Sequence, residues 1–249
     1  MSKIHEYPKI DTLFERGEDF KVDVTRIRRP EFEIPQRWLV TEKVDGTNVR
    51  VSLERECSIC SGPDPVSGDY FSCDTADAPH TGWRVVFYGR TVAAQMPTFL
   101  LDYLQRTFTL EKMKMLWRGS GEAEYPIVLY GEGYGARIQK GGGNYRRDGD
   151  VSFRLFDVLV GGTWLRRGDV EDVAQQLGVA PVPLLRTDSG GPLTTEQVVD
   201  LVRHGARSFV ADEEGTPSTQ AEGVVAFTDP PLFNGRGQRL MWKLKTKDF

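Results

Sequence analysis

Five side chains in this sequence combine types and spacing that suit phosphate chemistry. Lys43 lies at the end of a β-prone stretch, two residues before Asp45. Glu132 follows an apolar strand pattern and Glu222 precedes another. Lys243 and Lys245 are two apart in the last strand pattern, so both point to one face, with Leu240, Trp242 and Leu244 on the other. Lysines place point charges on phosphate oxygens, and carboxylates hold hard divalent cations. A lysine whose proton is removed is also a nucleophile. Taken singly each of these residues is weak evidence, since a strand-end lysine is most often a solvated charge.

The elements that must position them can be read from hydrophobic periodicity. Trp38–Glu42 is apolar and β-prone, and Val49, Val51 and Leu53 alternate on one face of the next strand. An Asp45-Gly46 turn signal lies between the two. Further strands are expected over Arg84–Tyr88, Pro126–Tyr130, Ser152–Val160, Gly223–Phe227 and Leu240–Leu244. Helical spacing runs from Pro97 to about Trp117. A second helix carries Val170, Val173, Ala174 and Leu177 and stops at Gly178. A third opens on a capping box from Thr194 to Gln197 and ends at Gly205. These strands and three helices predict an α+β fold with mainly antiparallel sheets flanked by helices.

The chain has 249 residues, 27% of them charged and 39% apolar, with a net charge of −4. These values are ordinary for a globular protein and exclude a collagen, a coiled coil or a disordered tail. No apolar run is long enough to cross a membrane as a helix, and Met1–Glu6 lacks the apolar core of a signal peptide. Three cysteines, an odd number, argue against a disulfide scaffold and for a reduced, cytoplasmic setting. The negative total conceals basic runs. Arg236, Arg239, Lys243, Lys245 and Lys247 form one, and Arg137, Lys140, Arg146 and Arg147 another. Local charge governs phosphate binding more than the sum does.

In order and context, this set resembles the covalent nucleotidyltransferase superfamily of RNA ligases, DNA ligases and mRNA capping enzymes. Lys43-Val-Asp45-Gly46-Thr-Asn48 matches the nucleophile motif KxDGxN. Tyr88-Gly89-Arg90-Thr91 is similar to the arginine-bearing motif, and Tyr130-Gly131-Glu132-Gly133 to the next. Phe153-Arg-Leu-Phe156-Asp157-Val matches the motif whose aromatic stacks on the base. Glu222-Gly223-Val224-Val225 and Lys243-Leu-Lys245 match the last two motifs. The closest flavour is the RNA ligase 2-like family, given Tyr7-Pro8-Lys9-Ile10, Glu42 before the nucleophile, and the segment Gly135–Gly141.

The resemblance implies an ATP-grasp-like adenylyltransferase domain spanning 1–249 and an ATP-dependent, AMP-forming RNA ligase. Lys43 would attack the α-phosphate of ATP to form lysyl-AMP. AMP would then pass to a polynucleotide 5′-phosphate, and a 3′-hydroxyl would displace it, as in RNA repair. Lys243 and Lys245 would contact the α-phosphate and stabilise its transition state. Glu222, with Asp45 or Glu132, would hold hydrated Mg²⁺ or Mn²⁺, or Glu132 would hydrogen-bond the ribose. Asn48 and Arg90 would contact ribose or phosphate. Phe153, preferred over Phe156, would stack on the base, and Glu42 would offer backbone contacts to adenine. The expected partner is RNA with 5′-phosphate and 3′-OH ends.

Related enzymes usually carry an OB-fold or helical domain after the last motif, and none is expected here, so a partner protein could replace it. Alternative readings are a DNA ligase, a capping-type nucleotidyltransferase, a non-catalytic nucleotide- or RNA-binding module, or an enzyme that adenylylates another protein. Outside the resemblance, residues from about 57 to 82 form an expected surface insertion. Cys57, Cys60, Cys73 and His80 lie there with the spacing C-x2-C-x12-C-x6-H, compatible with a zinc site or with free thiols.

Overall fold

A computed structural model describes residues 6–18, 20–57, 80–91, 93–116, 127–139, 143–146, 149–187, 189–216 and 219–249. In chain order the first strands are β1 (Asp11–Thr12), β2 (Phe14–Arg16), β3 (Val22–Ile27), β4 (Leu39–Lys43), β5 (Thr47–Cys57) and β6 (His80–Tyr88). Then come β7 (Ile127–Gly135), β8 (Val151–Val160), β9 (Thr163–Trp164), β10 (Ala180–Pro181) and β11 (Leu184–Leu185). The last are β12 (Gly223–Phe227) and β13 (Met241–Lys245). The helices are α1 (Thr98–Thr107), α2 (Leu110–Met115), α3 (Arg167–Leu177), α4 (Thr195–Arg203) and α5 (Phe209–Glu213). The mixed α+β class with mainly antiparallel sheets is as the sequence predicts.

The chain folds into two compact units. The first comprises Met1–Tyr7, Thr47–Gly133 and Ser152–Ala180; the second comprises Pro8–Gly46, Tyr134–Val151 and Pro181–Phe249. In the first, a sheet of order β10-β8-β7-β5-β6 is built on the long antiparallel pairs β5–β6 and β5–β7. The alternation of Val49, Val51 and Leu53 buries all three on one face, where Leu100 of α1 also packs. Gly133 permits that approach: a Cβ there would sit 2.8 Å from Leu100 Cδ2 and 3.3 Å from Val49 Cγ2. A second cluster joins Tyr7 to Tyr130, Phe156 and Trp164, with ring centroids 5.0–5.6 Å apart.

In the second unit, a sheet of order β1-β13-β12-β4-β11 carries the core. Trp38 and Trp242, both fully buried, meet edge to face at 5.4 Å. The helix α4 has the predicted capping box, with Thr194 accepting from Gln197 N and the Gln197 side chain accepting from Thr194 N. That interaction satisfies two amides the helix start cannot pair internally.

Several expectations need correction. The helical pattern from Pro97 to about Trp117 is two helices. The chain breaks at Phe108, and Thr109 caps a new start by accepting from Lys112 N. The strand begun at Ile127 does not end at Tyr130 but runs to Gly135, so Glu132 lies inside it. The expected insertion is narrower, since β5 extends to Cys57 and β6 starts at His80. The N-terminal segment, without clear periodicity in the sequence, forms β1, β2 and β3, and α5 is a further helix. Among the described residues no helix is long and apolar enough to cross a membrane.

Candidate active site

Strand β12 lies between β4 and β13, and its first residue, Gly223, is the register partner of both Lys43 and Lys245. The sheet therefore brings the nucleophile motif and the terminal lysine pair to either side of Glu222, which precedes Gly223. Only glycine fits there: an added Cβ would lie 2.1 Å from the Leu244 carbonyl oxygen and 2.6 Å from Lys245 Cα. The Lys43 ammonium donates to Glu222 Oε2, and Lys245 Nζ lies 2.5 Å from Oε1. Both carboxylate oxygens are thus engaged, while the three side chains keep 16–23% exposure. Burial pushes the Glu222 carboxyl up, but the two ammonium groups outweigh it and hold it below the usual carboxylate range. Here Lys43 acts as a hydrogen-bond donor.

The backbone around Lys43 is clamped by buried polar groups. Glu42, only 2% exposed, accepts from Ser208 Oγ at 2.5 Å, Phe209 N at 2.8 Å and Val210 N at 3.1 Å. Its carboxylate satisfies the free amides of the first turn of α5. On the other side of Lys43, Asp45 N donates to the Tyr145 hydroxyl at 3.1 Å. Burial and the nearby carboxylates raise the Tyr145 hydroxyl well above the ordinary phenol range, so it stays protonated. The Tyr145 carbonyl accepts from Thr216 Oγ1 at 2.9 Å, and its ring meets Tyr134 edge to face at 5.7 Å. The sequence flagged Glu42 for its backbone alone. Its side-chain role and those of Tyr145 and Ser208 went unseen, because a buried carboxylate reads in sequence like a surface charge.

The other unit holds the remaining predicted residues. Asn48 on β5 is the register partner of Glu132 on β7, so both side chains project from the same face of the sheet. The Asn48 Oδ1 is buried without a hydrogen-bond partner among the described residues, an acceptor suited to a ligand hydroxyl. Arg90 is exposed just beyond the end of β6. Arg50, fully buried two residues after Asn48, donates from Nε to the Gly89 carbonyl at 3.0 Å and lies 5.2 Å from the Tyr88 ring centroid. It thereby fixes the backbone that presents Arg90. Phe153 is 2% exposed and edge-on to Phe108 at 5.1 Å. It packs under Gly131, where a Cβ would come within 2.0 Å of its ring. Phe156 packs on Tyr7 instead. Asp157, 3% exposed, accepts from the Tyr7 hydroxyl at 2.9 Å.

Among the described residues no three histidines, cysteines or carboxylates gather as a ready-made metal group. The oxygen donors of Glu222 and Asp45 do fit a hard, hydrated divalent cation in their chemistry. Cys60 and Cys73 lie outside the described residues. Of Cys57 and His80 only the backbone is described, where the two are register partners at the end of the β5–β6 ribbon.

A family model described as RNA ligase matches residues 36–244. Among solved structures, a mutant RNA ligase of Naegleria gruberi with AMP and manganese is 19% identical, with a TM-score of 0.54. It is matched over 98% of this chain and 58% of its own. Another mutant of that ligase, with ATP and manganese, is also 19% identical, with a TM-score of 0.55, covering 97% and 62%. An archaeal ATP-dependent RNA ligase is 18% identical, with a TM-score of 0.53, covering 98% of this chain and 49% of its own. These likenesses show a shared fold, and the chain spans about half to three fifths of the chains it matches. No curated protein matches the sequence significantly.

Proposed function

The chain belongs to the RNA ligase family, and from that premise we propose that it is an ATP-dependent RNA ligase working through a lysyl-AMP intermediate. The observation that carries the reading is the engagement of one carboxylate, Glu222, by the nucleophile-motif Lys43 and the terminal Lys245 on adjoining strands. Lys43 Nζ attacks the α-phosphorus of ATP. A nitrogen–phosphorus bond forms, the bond to the pyrophosphate oxygen breaks, and the amine gives up a proton. Lys243 and Lys245 sit on the same face of β13 and offset the charge that grows on the α-phosphate oxygens. Glu222, with Asp45, would hold Mg²⁺ or Mn²⁺ through water, and the cation would supply further charge neutralisation at the phosphate. For Asn48, Glu132 and Arg90, which belong to the other unit, the family resemblance implies contacts to ribose or phosphate. AMP then passes to an RNA 5′-phosphate, and a 3′-hydroxyl displaces it to seal the strand.

The test is intact mass after incubation with ATP and Mg²⁺ or Mn²⁺. The wild type should gain one AMP and Lys43→Ala none. A wild type that gains nothing with either metal, or a Lys43→Ala variant that still gains AMP, would refute the reading. Parallel incubation with GTP separates a capping-type enzyme, which would gain GMP. Offering the adenylylated protein nicked RNA, nicked DNA and single strands identifies which one discharges it.

A further inference from the structure

The N-terminal segment lies ahead of the family match, which begins at residue 36, yet it is built onto the strand that carries the terminal lysines. β1 pairs in parallel with β13, Thr12 opposite Lys243, and Leu13 N donates to the Lys243 carbonyl at 3.2 Å. β2 and β3 continue as a hairpin. Arg16 of that hairpin pairs with the buried Asp248 at 2.7 Å, and Asp248 in turn accepts from Lys245 N at 2.9 Å. Between segment and strand lies a cleft of about 540 Å³. β13 and the turn after it line it with Lys243, Lys245 and Lys247; the N-terminal segment adds Lys9, Arg16, Lys21 and Arg28. Seven cations face two carboxylates, Asp11 and Asp248, a local excess of five positive charges in a chain whose total is −4. Both carboxylates are already paired with arginines, Asp11 with Arg28 and Arg29, Asp248 with Arg16. Among the described residues the exposed ammonium groups of Lys9 and Lys247 have no carboxylate partner.

A second observation comes from Phe20, which also lines the cleft. It stands at the hairpin tip with 79% of its surface exposed and a left-handed φ of 64°. Neither burial nor backbone preference accounts for a phenylalanine in that position. An exposed ring among cations is the arrangement that binds single-stranded nucleic acid, with bases stacking on the ring and the backbone following the charges. A triphosphate would use the lysines but would have no use for the ring.

We propose that this cleft binds the 5′-phosphorylated end of a single RNA strand, with a base on Phe20 and backbone phosphates along Lys9 and Lys247. The proposal rests on the ligase reading, since the cleft runs to Lys243 and Lys245, where the adenylylated phosphate must arrive.

Fluorescence anisotropy with a 5′-phosphorylated single-stranded oligoribonucleotide tests it. Phe20→Ala should weaken binding roughly tenfold and Phe20→Trp should retain it. Lys9→Gln combined with Lys247→Gln should lower the slope of log affinity against log salt by about 1.4, because about two strand phosphates then keep their counterions. Lysyl-AMP formation with ATP, measured by mass, should be unchanged in all three. Unchanged affinity and salt slope would overturn the proposal. So would full displacement of RNA by inorganic triphosphate accompanied by a raised KM for ATP in the variants, or sensitivity seen with duplex RNA alone. A wild type that binds RNA with the expected dependence but takes no AMP would remove the ligase reading and leave the cleft standing.

Discussion

Replacing Glu42 by glutamine probes the clamp behind Lys43. The carboxylate accepts three hydrogen bonds in a site with 2% exposure. Bonds to a charged acceptor contribute about 1.5–3 kcal/mol each, roughly twice a neutral bond. Glutamine matches the shape. Its carbonyl oxygen can take Phe209 N and Val210 N, and its amide group can turn to Ser208 Oγ, which already accepts from Ala211 N at 3.0 Å. The contacts persist while their charge assistance is lost, so we expect Glu42→Gln to cost about 2–3 kcal/mol. Glu42→Ala leaves two buried amides and a hydroxyl unpaired and should cost about 4–6 kcal/mol, at 1–3 kcal/mol for each orphaned group. At roughly 2–4 °C per kcal/mol for a chain of this size, Glu42→Gln should lower Tm by about 5–10 °C. Thermal unfolding followed by circular dichroism gives the answer. A Glu42→Gln protein that melts within about 1 °C of wild type would refute the reasoning, because the desolvation cost of the carboxylate would then cancel what its bonds contribute. Since Glu42 immediately precedes Lys43, lysyl-AMP formation below the melting range should also slow in Glu42→Gln.

Two further outcomes follow from the geometry. Gly131→Ala places a Cβ 2.0 Å from Phe153 Cζ and 2.6 Å from the Arg154 carbonyl oxygen, so ring and backbone must both move, at a cost of about 3 kcal/mol or more; Gly143→Ala, with nothing within 4 Å, should melt like wild type. Glu222 is held below its ordinary value of 4.5, so its ion pairs contribute stability that is full above that pH and is lost as pH falls through the lowered value. The advantage of wild type over Glu222→Gln in denaturant unfolding should therefore be complete at pH 7 and shrink below about pH 4.5; an advantage constant down to pH 3 would show that the pairing charge is not its source.

Much of what is encoded locally was legible, although the helix break at Phe108 and the run of β7 past Tyr130 were not. Alternation at two residues put Val49, Val51 and Leu53 in the core and set Lys243 and Lys245 on a common face opposite the buried Trp242 and Leu244. Thr194 with Gln197 marked the start of α4, and Gly178, with its φ of 70°, the end of α3. These signals survive because backbone geometry within one element is decided by neighbours a few residues apart. The N-terminal hairpin was not legible, since β2 and β3 are short and β3 is largely exposed, which leaves no apolar period to see.

The chemistry of the candidate site was legible as residue types in order, and its partners were not. The sequence by itself determined that Lys43, Glu222, Lys243 and Lys245 stand at or near strand ends and that the charge is concentrated in basic runs. Tertiary structure alone decided that Gly223 would lie between Lys43 and Lys245, that one carboxylate would take both ammonium groups, and that Glu42 would be buried on α5 while Glu132 faced Asn48 inside a strand. It also placed an N-terminal strand beside Lys243. The reason is physical: sheet register is a contest among strands far apart in the chain, settled by which pairing buries the most apolar surface and leaves the fewest polar groups unpaired, and no local pattern encodes its outcome.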